Sequence, residues 1–243
     1  MPKCKICGNK LGDISVCHCG EPIKLFVDSG DPAQSVNIGW QPDVYRCLIG
    51  MIKGYRESAD IMIEYVQGLS NPTAKIDSFI YPILFSYRHC VELFLKLIYL
   101  RHNKTAPGGH SLTNLYKKVN NTAIASLIVS NAWDSQDAVQ WDNLKRLTTE
   151  MQSAGCTKEE SASRKNTDAN QTDVKADVWR YMFKDMILYF THSHTFDYVL
   201  FAECFDRIFN KLEDVLRKVE ETDSQNALNA LLNLHDPYHN INI

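Results

Sequence analysis

The chain has 243 residues, 26 Lys and Arg against 29 Asp and Glu, a formal net charge of −3, and 44% hydrophobic residues. That length suits one domain with a small appendage or two compact domains, and that hydrophobic fraction excludes wholesale disorder and collagen-like repeats. The near-even charge excludes a protein that holds nucleic acid by net charge alone, because each phosphate neutralised needs a basic side chain.

Residues 1–22 carry half of the eight cysteines. Cys4 and Cys7 form a C-x2-C pair, and after nine intervening residues Cys17 and Cys19 form a C-x-C pair. Thiolates are soft ligands and four of them complete a tetrahedral zinc site with no open position, so a structural Zn2+ is expected and a catalytic one is not. Gly8 and Gly20 each follow a cysteine pair, where a tight turn brings backbone N–H groups toward the sulfurs. So short a segment buries little apolar surface, and metal binding would supply its folding free energy. His18 can replace Cys17 or Cys19 as a ligand. A redox dithiol is the other reading of C-x-x-C, but that motif belongs at a helix start within a βαβ pattern, which is missing here. The segment resembles a minimal zinc ribbon. Cys47, Cys90 and Cys204 fall in helical patterns and read as small core residues.

Lys3, Cys4, Lys5 and Cys7 stand where a signal peptide would need its apolar run. The most apolar stretch, 79–100, is interrupted by Pro82, Arg88, His89, Glu92 and Lys96, and a membrane-spanning helix needs about 20 predominantly apolar residues. No membrane association is expected. Eight cysteines in a chain this long do not make a disulfide scaffold, which points to a reducing, cytoplasmic setting.

Residues 23–41 form a connector rich in Gly and Pro, with one short strand expected at 23–27. From Pro42, suited to a first helical turn, Val44, Leu48, Met51, Tyr55, Ile61 and Tyr65 approximate helical steps to about Leu69, and Asn71-Pro72 ends the run. A central helix follows over 74–102, with Pro82 expected to kink it or mark a late start. Pro107-Gly108-Gly109 makes a loop, and Ser111 is placed to cap a short helix carrying Leu112, Leu115 and Val119. Residues 142–151 read as helical, and 152–176, polar and without period, as a mobile loop. A last long helix is expected over 196–221 with Thr195 as its N-cap, then a shorter one over 224–234 and a tail at 235–243. The expected class is mostly α: a helical bundle over 42–234 with a small N-terminal zinc-binding knuckle.

Within 86–119, Glu92 and Lys96 on a helix are followed by a loop and then by His110, Leu112 and Leu115. This stretch resembles the central helix and following turn of HEPN-type domains, small helical bundles of nucleotide-binding and RNA-cleaving proteins common in toxin–antitoxin and phage-defence systems. Residues 179–185, Trp-Arg-Tyr-Met-Phe-Lys-Asp, resemble a segment that some bacterial members carry before their last long helix, with Trp179 for Phe and Met182 for Pro. The resemblance spans roughly 42–220, although its specific motifs cover only some forty positions. It implies a homodimer and an RNA or nucleotide ligand. Ribonucleolytic members carry an Arg, four to six residues, then a His, and no arginine of this chain has a histidine at that separation. The family's catalytic pair therefore does not carry over. The resemblance implies a binding or assembly module in a phage-related or toxin–antitoxin setting.

Arg88, Glu92 and Lys96 are spaced i, i+4, i+8 and share one helix face, as a polar edge beside the core or, with His89 and His110, as a polar pocket. A Glu–His pair there can do acid–base work or order the loop by hydrogen bonding, and the spacing supplies neither a nucleophile nor a metal set. The interval 84–121 holds six cations and one acid, a local +5 that suits phosphate or a solvated helix end. His192 and His194, with Arg180 and Asp185 nearby, are the candidates for an atypical metal-independent ribonuclease site; a capping turn before the last helix accounts for the same residues. No glycine-rich phosphate loop, serine elbow or His-Glu-x-x-His motif is present.

Overall fold

The computed structural model describes Ala33, residues 43–153, 183–184 and 187–188, Thr195 and residues 197–234. The zinc-ligand candidates Cys4, Cys7, Cys17 and Cys19, His18, the strand expected at 23–27, the loop from 154 onward, and Arg180, His192 and His194 lie outside them. The chain divides into two units, Met1–Trp40 and Gln41–Ile243. The helices below belong to the second, which is mostly α as its periodicity predicts.

Helix α1 is Val44–Gln67 and α2 is Thr73–Asn103. Asp43 caps α1, its Oδ1 accepting from the Arg46 N–H at 2.8 Å, so the helix starts beyond Pro42 rather than on it. Side chains pair antiparallel across the α1–α2 hairpin: Tyr65 stacks on Phe79, Tyr87 donates to Asp60 at 2.5 Å, and Cys90 Sγ reaches the Ile52 carbonyl at 3.4 Å. Pro82 sits inside α2 without ending it. It lacks the N–H that would reach Ser78, but both residues are exposed, so water can satisfy the freed carbonyl. The helix ends at Asn103, with Lys104 left-handed at φ 61° and its N–H on the Leu100 carbonyl.

Ser111 caps α3, Leu112–Val119, accepting from the Asn114 N–H. The chain then continues without a break through a π-helical turn, Asn120–Ile124, into α4, Ala125–Val129. The helix predicted at 142–151 is α5, Ser135–Ser153, longer at both ends. Its start is sealed by Asp134 and Asp137, whose carboxylates each accept from the other's backbone N–H, at 2.8 and 3.0 Å. Its last turn carries buried Gln152, whose Oε1 accepts from Ser111 Oγ, Thr113 N and Thr113 Oγ1, so 152 belongs to the helix and not to the expected loop.

Two two-residue strands, Phe183–Lys184 (β1) and Ile187–Leu188 (β2), pair antiparallel, with Phe183 opposite Leu188. The two helices expected over 196–221 and 224–234 are one, α6, Tyr198–Leu234. Asp197, not Thr195, caps it: its Oδ1 accepts from the N–H groups of Val199 and Leu200. The polar run Thr222-Asp223-Ser224, which reads as a break, is absorbed because Ser224 Oγ donates to the Glu220 carbonyl one turn back.

The core lies where α2 meets α1, α3 and α6. Ile83, Val91, Leu95 and Ile98 of α2 are wholly buried, as are Phe209, Leu212 and Val215 of α6. Tyr87 stacks on Phe205 with ring centroids 4.6 Å apart, and Phe94 packs toward Phe209. Cys90 is buried, whereas Cys47 and Cys204 are half-buried. No helix among the described residues is long and apolar enough to cross a membrane.

Candidate functional site

Side chains four apart on a helix share a face, and α2 turns that geometry inward at Arg88, Glu92 and Lys96. Arg88 and Glu92 are among the most buried residues of the chain, at 0% and 1% exposure. Glu92 Oε2 accepts from Arg88 Nη1 at 3.2 Å, and Oε1 accepts from Lys96 Nζ at 2.8 Å. The loop between α2 and α3 brings in His110, whose Nδ1 lies 2.8 Å from the same Oε1. Arg88 Nη2 donates to the His110 carbonyl at 3.1 Å, so the residue is held by both its ring and its backbone.

Burial pushes the Glu92 carboxyl up, but His89, Lys96 and His110 together outweigh it and hold the group at about 2. Glu92 is therefore an anion, and the ring nitrogen facing it must be the donor. His89 contributes from farther away. Its Nδ1 lies 3.9 Å from Glu92 Oε2, beyond a hydrogen bond, and its ring is edge-on to Tyr55 and parallel to Phe85. Arg88, Glu92, Lys96 and His110 thus form one bonded cluster, with His89 beside it. With Nδ1 turned toward Glu92, Nε2 is the second nitrogen of a half-exposed ring, a carboxylate–imidazole arrangement suited to passing a proton or holding a polar group. Among the described residues no hydroxyl or thiol hydrogen-bonds that ring.

The basic interval behaves differently from its formal charge. Arg88 and Lys96 face Glu92, Arg101 Nε lies 3.7 Å from Glu220 of α6, and Lys104 Nζ lies 2.7 Å from Asp223. Lys117 and Lys118, both exposed on α3, have no carboxylate within ion-pair distance among the described residues. The acids that offset the interval come from more than a hundred positions downstream.

No protein-family model matches this chain, and no curated protein or solved structure matches it either. The site is described by its own geometry. Among the described residues no group of three His, Cys, Asp or Glu side chains could hold a metal ion.

A second buried charge cluster has no counterpart in the sequence reading. Asp137 at the start of α5 accepts from Lys211 and Lys218 of α6, each at 2.6 Å, and both lysines lie over the Trp133 ring, at 4.9 and 5.7 Å from its centroid. Burial works to raise the Asp137 carboxyl; hydrogen bonds from Lys211, Lys218 and the backbone at Asp134 bring it down to about 2. The two lysines are seven apart on α6, beside the core positions Ile208, Leu212 and Val215, so they share the core-facing side. That periodicity was the available signal; the partner, 74 positions earlier, had none. This cluster, with the two lysines over Trp133, ties the start of α5 to α6 and offers no open ring or carboxylate comparable to His110.

Proposed function

We propose that this protein is a HEPN-like helical binding and assembly module, dimeric and carrying a structural zinc on Cys4, Cys7, Cys17 and Cys19, that serves in a phage-defence or toxin–antitoxin setting. The observation that carries the reading is the Glu92 cluster. Its carboxylate takes donors from Arg88, Lys96 and His110 at once, which is the chemistry of ordering a loop rather than of activating a nucleophile. The loop so ordered leads into α3, whose exposed Lys117 and Lys118, without a carboxylate in ion-pair distance among the described residues, offer positive charge to an RNA or nucleotide phosphate.

The test is incubation of the purified protein with total RNA in the presence of chelator, over pH 5 to 9, beside Arg180→Ala, His194→Ala and His110→Ala variants. The expected result is RNA retention in a filter or mobility assay with no cleavage. Cleavage abolished by Arg180→Ala or His194→Ala would replace the binding module with a metal-independent ribonuclease. Metal analysis of the intact protein checks the knuckle separately: close to one equivalent of zinc is expected, lost in a Cys4→Ser/Cys7→Ser variant.

A further inference from the structure

Helix α1 has two apolar faces, and the bundle covers only one. Ile52, Ala59 and Ile63 are buried in the core, and Val66 is buried as well. Around the cylinder Val44, Met51, Ile61 and Tyr65 remain 60, 39, 64 and 49% exposed, and Ser58 continues the same seven-residue spacing through Val44, Met51 and Tyr65. Isolated exposed apolar residues need no explanation, but a stripe running the length of a 24-residue helix does. Glycines lie in its middle. A Cβ built at Gly50 or at Gly54 would meet nothing within 4 Å, so a second helix could approach closely there.

The charges beside the stripe identify what lies against it. On its solvent edge Arg46 and Lys53 occupy the first half of α1, and Glu57 and Glu64 the second. All four are exposed. Lys53, Glu57 and Glu64 have no ion-pair partner among the described residues, and Arg46 reaches only its own cap, Asp43, at 3.8 Å. We propose that this stripe is the face through which two copies of the chain pair, α1 against α1 in antiparallel, about a two-fold axis passing between Gly54 and Tyr55.

In that register Val44 lies level with Tyr65 of the second copy and Met51 with Ser58, so the stripe meets itself. A two-fold axis normal to an antiparallel pair brings like edges of the two helices together. Arg46 therefore comes beside Glu64 of the second copy and Lys53 beside Glu57, each contact occurring twice. Parallel pairing, about an axis along the helices, would instead turn the charged edge of each copy toward the uncharged edge of the other and leave these four charges without partners in the second copy, so the charges favour the antiparallel arrangement. The inference rests on the dimer of the proposed function and gives that dimer its surface.

The test is sedimentation velocity on the full chain over a dilution series, with two charge-reversed variants. One is Arg46→Glu/Lys53→Glu, and the other is Glu57→Lys/Glu64→Lys. The unaltered chain is expected to dimerise. Each variant alone is expected to pair about tenfold or more weakly, and an equimolar mixture of the two to recover the original affinity as a heterodimer. Unchanged helix content by circular dichroism would show that the variants fold, as substitutions of exposed residues should. A dimer insensitive to both variants, or a mixture that fails to recover, would overturn the face and leave the dimer standing. A monomer at every concentration would overturn both the face and the dimer.

Discussion

Glu92 shows how much one side chain can organise. A buried carboxylate alone would be protonated or expelled, yet here it is ionised because three donors converge on it. Its folded value of about 2 lies below the ordinary 4.5, so the folded state binds its proton less readily than the unfolded state. The resulting stabilisation is complete above pH 4.5 and is lost as the pH falls toward 2. It amounts to roughly 3 kcal/mol, from about 1.4 kcal/mol per unit. Urea unfolding between pH 7 and 3 is expected to show this slope, and Glu92→Gln is expected to flatten it. At neutral pH that same variant should cost about 3–5 kcal/mol, because it removes the buried charge on which Arg88, Lys96 and His110 converge. A slope unchanged in Glu92→Gln would mean that other carboxylates govern the acid limb, Asp137 first among them.

At the scale of elements, the ends of helices carried the surprises. The stripes of α1 and α2 were legible because their apolar residues recur at helical steps over many turns, and Ser111 because its side chain precedes a short periodic run. The start of α6 was not, since Thr195 and Asp197 are both capping types, Asp the better one, and only the fold decides which one faces the first free N–H groups. Asp197→Ala is therefore expected to lower stability by about 1 kcal/mol, and Thr195→Ala by much less, both measured by thermal unfolding. The run from Thr222 to Ser224 misled in the other direction: Ser224 bonds within the helix, and Asp223 is engaged by Lys104 of α2. The loop that delivers His110 to Glu92 could be anticipated only as a neighbourhood, because spacing along a helix says which residues share a face and not where the following loop returns.

For the whole molecule, order is set by contacts far apart in the chain. Helices α1 and α6 run antiparallel, with Arg56 reaching both Asp206 and Glu213 and the Tyr45 hydroxyl bonded to Glu220. Helices α2 and α6 run parallel, through the rings of Tyr87 and Phe205 and the pairs ending at Lys104 and Asp223. The core converges on the middle of α2, where nearly every residue from Ile83 to Ile98 is buried. Native-state hydrogen exchange is accordingly expected to be slowest there, its opening free energy approaching that of global unfolding, with the exposed first turns of α2 exchanging orders of magnitude faster. Equal protection along the whole helix would contradict this gradient. None of these pairings had a local signature. Arg101 and Lys104 stood in the sequence as positive charge awaiting a phosphate, while their carboxylate neighbours were distributed along a helix that begins nearly a hundred residues later.

The π turn at 120–124 has a consequence for chain length. Before it Leu112, Leu115 and Val119 face the core; after it Ala123, Ile124 and Leu127 do, one position later than a regular α-helix would place them. The turn thus holds a single supernumerary residue, and exposed Asn121 is the one whose removal would leave Val119, Ala123, Ile124 and Leu127 at ordinary three- and four-residue steps. A chain shortened by that one residue is expected to keep its helix content and its packing, where the same deletion in the buried middle of α2 would rotate every later side chain by about a hundred degrees. Among the described residues, the segment after α3 is thus a place where the chain can lose one residue and stay in step with its own core.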